Sequence, residues 1–372
     1  MKKYLLCVLF CASSLFFVSC DDDNDDPKPK NTEQTGENGN TNNQQGNTNN
    51  QSDSTSTNTN TKPDSLPDYS NVTYTVTFDS YEVEDQIVAH GAKAVQPPCM
   101  IKYGYVLKEW KNGENIYDFS SEVTSDLLLT ADWEEMTATT TIDLGLTSGN
   151  LWTALNLGAV KPWPGNYYAW GDTATKSTFT WKTYRYGNDK NSMTKYCTES
   201  KYGKDGFTDG LTTLEESDDA ATAVLGSDFA TPTMKEWKEL GDECYWVWTT
   251  DYFGQGLYGY IVYKAKTAED RGVKATAERT AKSDYKPYDT HIFLPVTGFR
   301  EAGKTINSQG GTNGGLGHYW ASTSHCQSAF TSYYGDELYF DSLHVHSDKG
   351  SGMYRYYGLN IRAVKRPTRS TD

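Results

Sequence analysis

From Asp21 to Ser65 the chain contains no residue of the hydrophobic set, and this one stretch divides the protein before any fold is considered. With nothing apolar to bury, it cannot offset the entropy lost on ordering. Residues 27–68, dominated by Asn, Thr, Gln, Ser, Gly and Lys, are therefore expected to be a disordered linker. As a flexible coil that linker reaches roughly 35 Å. Folding is confined to residues 66 onward, where there is chain enough for two domains of about 100 to 200 residues.

The segment before the polar run directs the chain out of the cytoplasm. Lys2 and Lys3 precede an apolar run from Tyr4 to Val18, interrupted only by Ser13 and Ser14. That is shorter than the roughly 20 residues that span a bilayer, so it reads as a secretory signal. The run ends Phe17-Val18-Ser19-Cys20, and a small residue before a cysteine resembles the bacterial lipobox. The resemblance implies a signal peptide over 1–19, lipid attachment at Cys20, and an acidic, then low-complexity linker over 20–68. An ordinary cleaved signal with an incidental cysteine is the plainer alternative. Stable anchoring takes more than one acyl chain, such as palmitate, because a single chain binds only marginally.

Asp21-Asp22-Asp23-Asn24-Asp25-Asp26 follows at once. It resembles the acidic tag that directs lipoproteins of Bacteroidetes-type bacteria to the outer surface. A lipid-anchored outer-membrane protein facing the exterior is the expectation, with periplasmic orientation as the alternative. The formal net charge of -15 argues against a nucleic-acid partner held through phosphates.

Val72, Tyr74, Val76 and Phe78 alternate with Thr73, Thr75 and Thr77, the period-two pattern of a strand with one buried face. Further strands are expected over Gln86 to His90, Tyr103 to Trp110 and Leu127 to Trp133. The ordered runs YTVTFDS, AHGAKAVQPP, GYVLKEW, YDF and LLLTADW resemble the internalin-type B repeat, also called the Listeria–Bacteroides repeat. The resemblance implies a small β-grasp-like module over 70–135, with Trp110 and Trp133 as core anchors. One copy is visible, so it reads as a spacer rather than a repeat stalk.

Residues 140–367 are rich in Tyr, Trp, Gly and Thr, with short apolar runs that predict many short strands and long loops. The clearest helix starts at Thr233, where Thr233-Met234-Lys235-Glu236 has capping-box spacing and Gly241 is the expected stop. A shorter helix is expected over Asp218 to Leu225, with its acids at the positive end. The runs IDLGLTSGNLWTALNLGAV, YYAWGDT, DDAATAVLG, ATPTMKEWKEL, IFLPVTGFR, HYWASTS and YRYYGLNIRAVK resemble the Fibrobacter succinogenes major paralogous domain. The resemblance implies a C-type-lectin-like, formylglycine-generating-enzyme-like fold, with Trp152, Trp170, Trp237, Trp246 and Trp320 in its core. The expected fold class is α+β, a small β-grasp-like module followed by a larger lectin-like mixed domain.

Formylglycine-generating chemistry needs paired thiols near the C-terminal end, and that region offers only Cys326. No Gly-rich phosphate loop, Gly-x-Ser-x-Gly elbow or His-Glu-x-x-His helix is present. The chain is therefore expected to be non-enzymatic and without a cofactor. Cys197 and Cys244 are the preferred disulfide pair in an oxidising compartment, with independent buried thiols as the alternative and Cys99 free. His344 and His346 alternate in an apparent strand from Leu338 to His346. Asp341 or His325 could join them, but exposed histidines without metal are the expectation.

Trp163, Tyr333, Tyr334, Tyr354, Tyr356 and Tyr357 stand among Gly, Asn, Asp and Ser, a setting suited to stacking on sugar C–H faces. These six are the expected ligand-binding residues. The leading expectation is a surface lipoprotein binding an extracellular glycan or glycoprotein, for adhesion or nutrient capture. A structural protein that docks another envelope protein is one alternative, and an enzyme on a formylglycine-generating-type fold is a second.

Overall fold

The computed structural model describes residues 67–80, 83–324 and 331–367. The signal segment, Cys20, the acidic run and nearly all of the linker, together with His325 and Cys326, lie outside the described residues.

The first sheet is built from β1 (Thr73–Asp79), β2 (Gln86–Ala89), β3 (Ile101–Lys102), β4 (Tyr105–Asn112), β5 (Asn115–Ile116) and β6 (Leu127–Glu135). Its order is β2-β1-β6-β4-β3, with β5 on β4; β1 and β6 run parallel, and the other pairs are antiparallel. The alternation in β1 places Val76 and Phe78 in the core beside Val88, Met100, Trp110 and Leu129. Phe78 meets Trp110 edge to face at 4.9 Å. Trp133 is only half-buried, at the rim of that core, with the Lys102 ammonium 4.1 Å above its ring.

The rest of the chain continues through β7 (Thr141–Ile142), β8 (Leu151–Thr153), α1 (Ala220–Leu225), β9 (Phe229–Ala230) and α2 (Met234–Glu243). Then come β10 (Cys244–Thr249), β11 (Gly259–Lys264), β12 (Lys274–Ala275), β13 (His291–Pro295), β14 (Phe299–Glu301) and β15 (Lys304–Ile306). β16 (Gly317–Ser324), β17 (Tyr334–Phe340), β18 (Val345–Tyr354) and β19 (Val364–Lys365) complete it. The sheets have orders β12-β10-β11-β13, β16-β17-β18 and β7-β8-β19-β9, plus the hairpin β14-β15. The fold is mainly β with few helices.

The capping box at Thr233 forms as its spacing predicts. The Thr233 hydroxyl accepts from the Glu236 backbone N–H, and the Glu236 carboxylate accepts from the Thr233 N–H at 2.7 Å. Gly241 does not end this helix, which runs on to Glu243. A Cβ at Gly241 would lie 2.0 Å from the Ser347 hydroxyl, so this glycine lets α2 approach β18. Asp219 caps α1 by accepting from the N–H groups of Ala221 and Thr222.

Strands β16 and β17 divide two cores. Tyr319, Ala321, Leu338 and Phe340 join Trp152, Trp237 and Trp246 in one. Trp320 joins Trp170, Tyr196 and Tyr333 in the other. The expected strand from Leu338 to His346 is instead two strands joined by a turn, where the Asp341 carboxylate accepts from the N–H groups of Leu343 and His344. His344 therefore sits in the turn and His346 on β18.

The described residues form one compact unit. The first sheet joins the larger part at β3, whose Ile101 is buried in the central core and donates its N–H to the Tyr288 carbonyl at 3.0 Å. Thr290 donates to the Cys99 carbonyl, and Tyr288 packs against the small core in return.

Candidate functional site

Of the aromatic side chains expected to face a ligand, Trp163 is the exposed one, at 57% of its full accessibility. Its loop, residues 154–166, is fixed from beneath by core side chains. Asn156, buried, donates to the Pro164 carbonyl at 2.8 Å. Asn360, also buried, donates to the carbonyls of Pro164 and Asn166 at 2.5 and 2.8 Å. Asn156 is itself held by the Arg362 Nε at 2.8 Å. The remaining Arg362 donors reach the carbonyls of Thr153, Ala154 and Phe293, so a buried guanidinium is satisfied by one side-chain amide and three backbone carbonyls. Burial pulls its pKa down to about 10.

Two glycines make the tight path possible. Gly158 has φ +78° and a Cβ there would lie 2.1 Å from the Asn166 amide; Gly165 has φ +81° and a Cβ would lie 2.8 Å from the Leu157 carbonyl. Between them Pro162 is buried while its neighbours Lys161 and Trp163 point outward. Val160 is 81% exposed. The result is a cavity of about 450 Å³ lined by Val160, Lys161, Trp163, Asn166 and, from the turn between β3 and β4, Tyr103. That volume lies within the range of small-ligand sites, about 300 to 1,000 Å³.

The five tyrosines are brought together elsewhere. Tyr333 is 5% exposed and is a core residue, not a ligand platform; it packs edge to face on Tyr202 at 5.0 Å. Tyr334 and Tyr354 stack at 4.8 Å, and Tyr354 and Tyr356 at 5.6 Å. Tyr356 lies 4.6 Å from Tyr357 and 4.9 Å from Trp181. All four are half-buried, and their ring faces are covered by one another. Burial and the neighbouring Tyr354 hydroxyl raise the Tyr334 pKa, while burial, Tyr357 and Glu301 raise that of Tyr356. The array ends on a carboxylate, with the Tyr356 hydroxyl donating to Glu301 at 3.1 Å.

Cys197 and Cys244 are not bridged: both are free, buried thiols in different core clusters. Burial raises the Cys244 thiol pKa well above its ordinary value. Cys99 is free and exposed. The rings of His344 and His346 lie 6.1 Å apart; His344 meets Asp341 at 3.2 Å, and His346 stacks on Tyr339 at 4.1 Å. Among the described residues no three His, Cys, Asp or Glu side chains are grouped to hold a metal.

Sequence reasoning missed Tyr103 and Lys161. Lys161 was within reach of it, because Pro162-Trp163-Pro164 between two glycines marks a stiff loop with outward neighbours. Tyr103 gave no such signal, since its place depends on how β3 meets the larger part. Comparison with protein-family models, with curated proteins and with solved structures finds no match.

Proposed function

We propose that this chain is a non-catalytic surface lipoprotein that binds an extracellular glycan or glycoprotein through the groove beside Trp163. The observation that carries this reading is a large aromatic ring left in solvent by a loop whose backbone is tied down by buried Asn156 and Asn360. Pre-organisation of that kind lowers the entropic cost of binding. An indole beside an amide such as Asn166 suits a pyranose, which offers a C–H face and a rim of hydroxyls. The groove lining includes no carboxylate or imidazole, the groups that general acid–base catalysis uses most often.

The address follows from Cys20 and the acidic run after it, with the polar linker lifting the folded residues away from lipid. The mixed first sheet, with β1 and β6 parallel at its centre, and the short sheets and long loops after it support the finer reading of a β-grasp-like module followed by a lectin-like domain. Trp163→Ala tests the site. On a glycan array the variant should lose at least about tenfold in affinity, or 1.4 kcal/mol, for whatever glycan the wild type captures. Unchanged capture would move the site elsewhere.

Docking of another envelope protein is the second reading, favoured by one observation. Ile87 and Leu128, 70% and 58% exposed, lie either side of β1, opposite Thr75 and Thr77 on the outer face of the first sheet.

A further inference from the structure

We infer that the groove is selective for an acidic sugar, whose carboxylate or sulfate pairs with Lys161 while its ring lies against Trp163 and Tyr103. The inference rests on the reading of the groove as a glycan site and adds the chemical class of ligand.

Charge is the first argument. The chain carries 49 acids against 34 bases, yet the groove lining includes one lysine and no acid. The cavity along α2, about 610 Å³, is net acidic, with Glu236, Glu239, Asp242 and Glu243 in its wall against Lys235 and Lys238. An anionic ligand is repelled there and met by a cation at Lys161. The state of that cation is the second argument. Lys111, Lys176, Lys195, Lys238 and Lys282 each pair with a carboxylate of the chain. Lys161 is exposed and makes no ion pair or side-chain hydrogen bond among the described residues. Its charge is available to a ligand without first breaking an internal pair.

Geometry is the third. The Trp163 N–H donates to the Lys161 carbonyl at 2.6 Å across buried Pro162, a tight turn that sets the ammonium and the indole on one groove. The Tyr103 wall comes from the first sheet. Tyr103 packs edge to face on Tyr252 at 6.3 Å, and its turn is fixed where the Met136 N–H donates to the Gly104 carbonyl at 2.8 Å. The first sheet is then part of the binding site as well as a spacer.

The test uses the full-length protein and three probes of similar length: hyaluronan hexasaccharide, which carries carboxylates, chondroitin sulfate hexasaccharide, which adds sulfates, and neutral chitohexaose. Binding of an acidic probe in preference to chitohexaose supports the inference; hyaluronan among the bound probes assigns the carboxylate, and chondroitin sulfate alone assigns the sulfate. Lys161→Met should weaken the acidic probe about three- to fivefold at low salt, less at high salt, and leave chitohexaose unchanged. Tyr103→Ala should weaken every bound probe with little change in thermal midpoint. Equal binding of all three probes, or no effect of Lys161→Met, overturns the acidic selectivity; if Trp163→Ala still abolishes binding, the groove reading stands. Should Trp163→Ala also bind normally, or no probe bind, both are overturned.

Discussion

The loop over 154–166 sets one aromatic ring, Trp163, and the cluster over 333–357 several tyrosines among small and polar residues, yet the two regions put their rings to opposite uses. In the loop, the backbone carbonyls of Pro164 and Asn166 are held by buried asparagines, so the indole is not required for packing and stays in solvent. In the cluster the rings themselves are the packing: Tyr333, Tyr334, Tyr354 and Tyr356 cover one another's faces and close the core around Trp170 and Tyr196. A ring is left in solvent where other groups do the holding. It is withheld where it does the holding itself.

The largest effect expected from this contrast is on stability. Tyr333→Ala should cost about 3 to 5 kcal/mol, the usual range for truncating a buried aromatic. Trp163→Ala should stay within about 0.5 kcal/mol, as surface substitutions do. Urea unfolding of both variants measures the difference. Similar losses would erase the contrast and place Trp163 in the structural framework.

Legibility divides along the same line. Strand β1 could be read because one buried face imposes strict alternation on Val76 and Phe78, and α2 because its capping box needs only four residues. The five tryptophans expected in the core are all buried. What failed depends on distant chain. Gly241 looks like a helix stop until Ser347 is seen against it, and Leu338 to His346 looks continuous until Asp341 turns it. Cys197 and Cys244 look like partners until they fall in separate cores. The groove was half legible, through Trp163; its Tyr103 wall needs the packing of two sheets, which local pattern does not encode.

A smaller effect tests whether the loop is pinned in the way the contrast requires. Asn156→Ala removes one of the two donors to Pro164 and the acceptor of Arg362, leaving the buried Nε–H of Arg362 unmatched, and should cost about 1 to 3 kcal/mol. Hydrogen exchange should quicken at Asn166, whose N–H donates to the Leu157 carbonyl, more than at Tyr357, whose N–H donates to the Tyr354 carbonyl. Uniform quickening at both would show that the loop opens only with the whole molecule.

The smallest effect separates the two regions by pH. Asp218 is buried beneath the tyrosine side, accepting from Lys195 at 2.5 Å and from the Tyr196 hydroxyl at 2.6 Å. Burial alone would raise its pKa, but the hydrogen bonds from Lys195 and Tyr196 outweigh it and hold the carboxyl below its ordinary 3.8. A carboxylate whose folded pKa is depressed stabilises the fold above the unfolded value, and that stabilisation is lost as pH falls through the folded value. Stability should therefore be level in this respect from pH 7 to about 4 and decline below 3.8. Asp218→Asn removes the titrating group and should flatten part of the acid limb, leaving the share due to Glu236 and Asp270, whose pKa values are also lowered. Lys161→Met should leave that limb as in the wild type, because the groove lining includes no acid. The measurement is the urea midpoint of each variant between pH 2.5 and 7. An acid limb of the same slope in Asp218→Asn and the wild type would show that the tyrosine side is held by ring packing alone, with its charged anchor contributing nothing measurable.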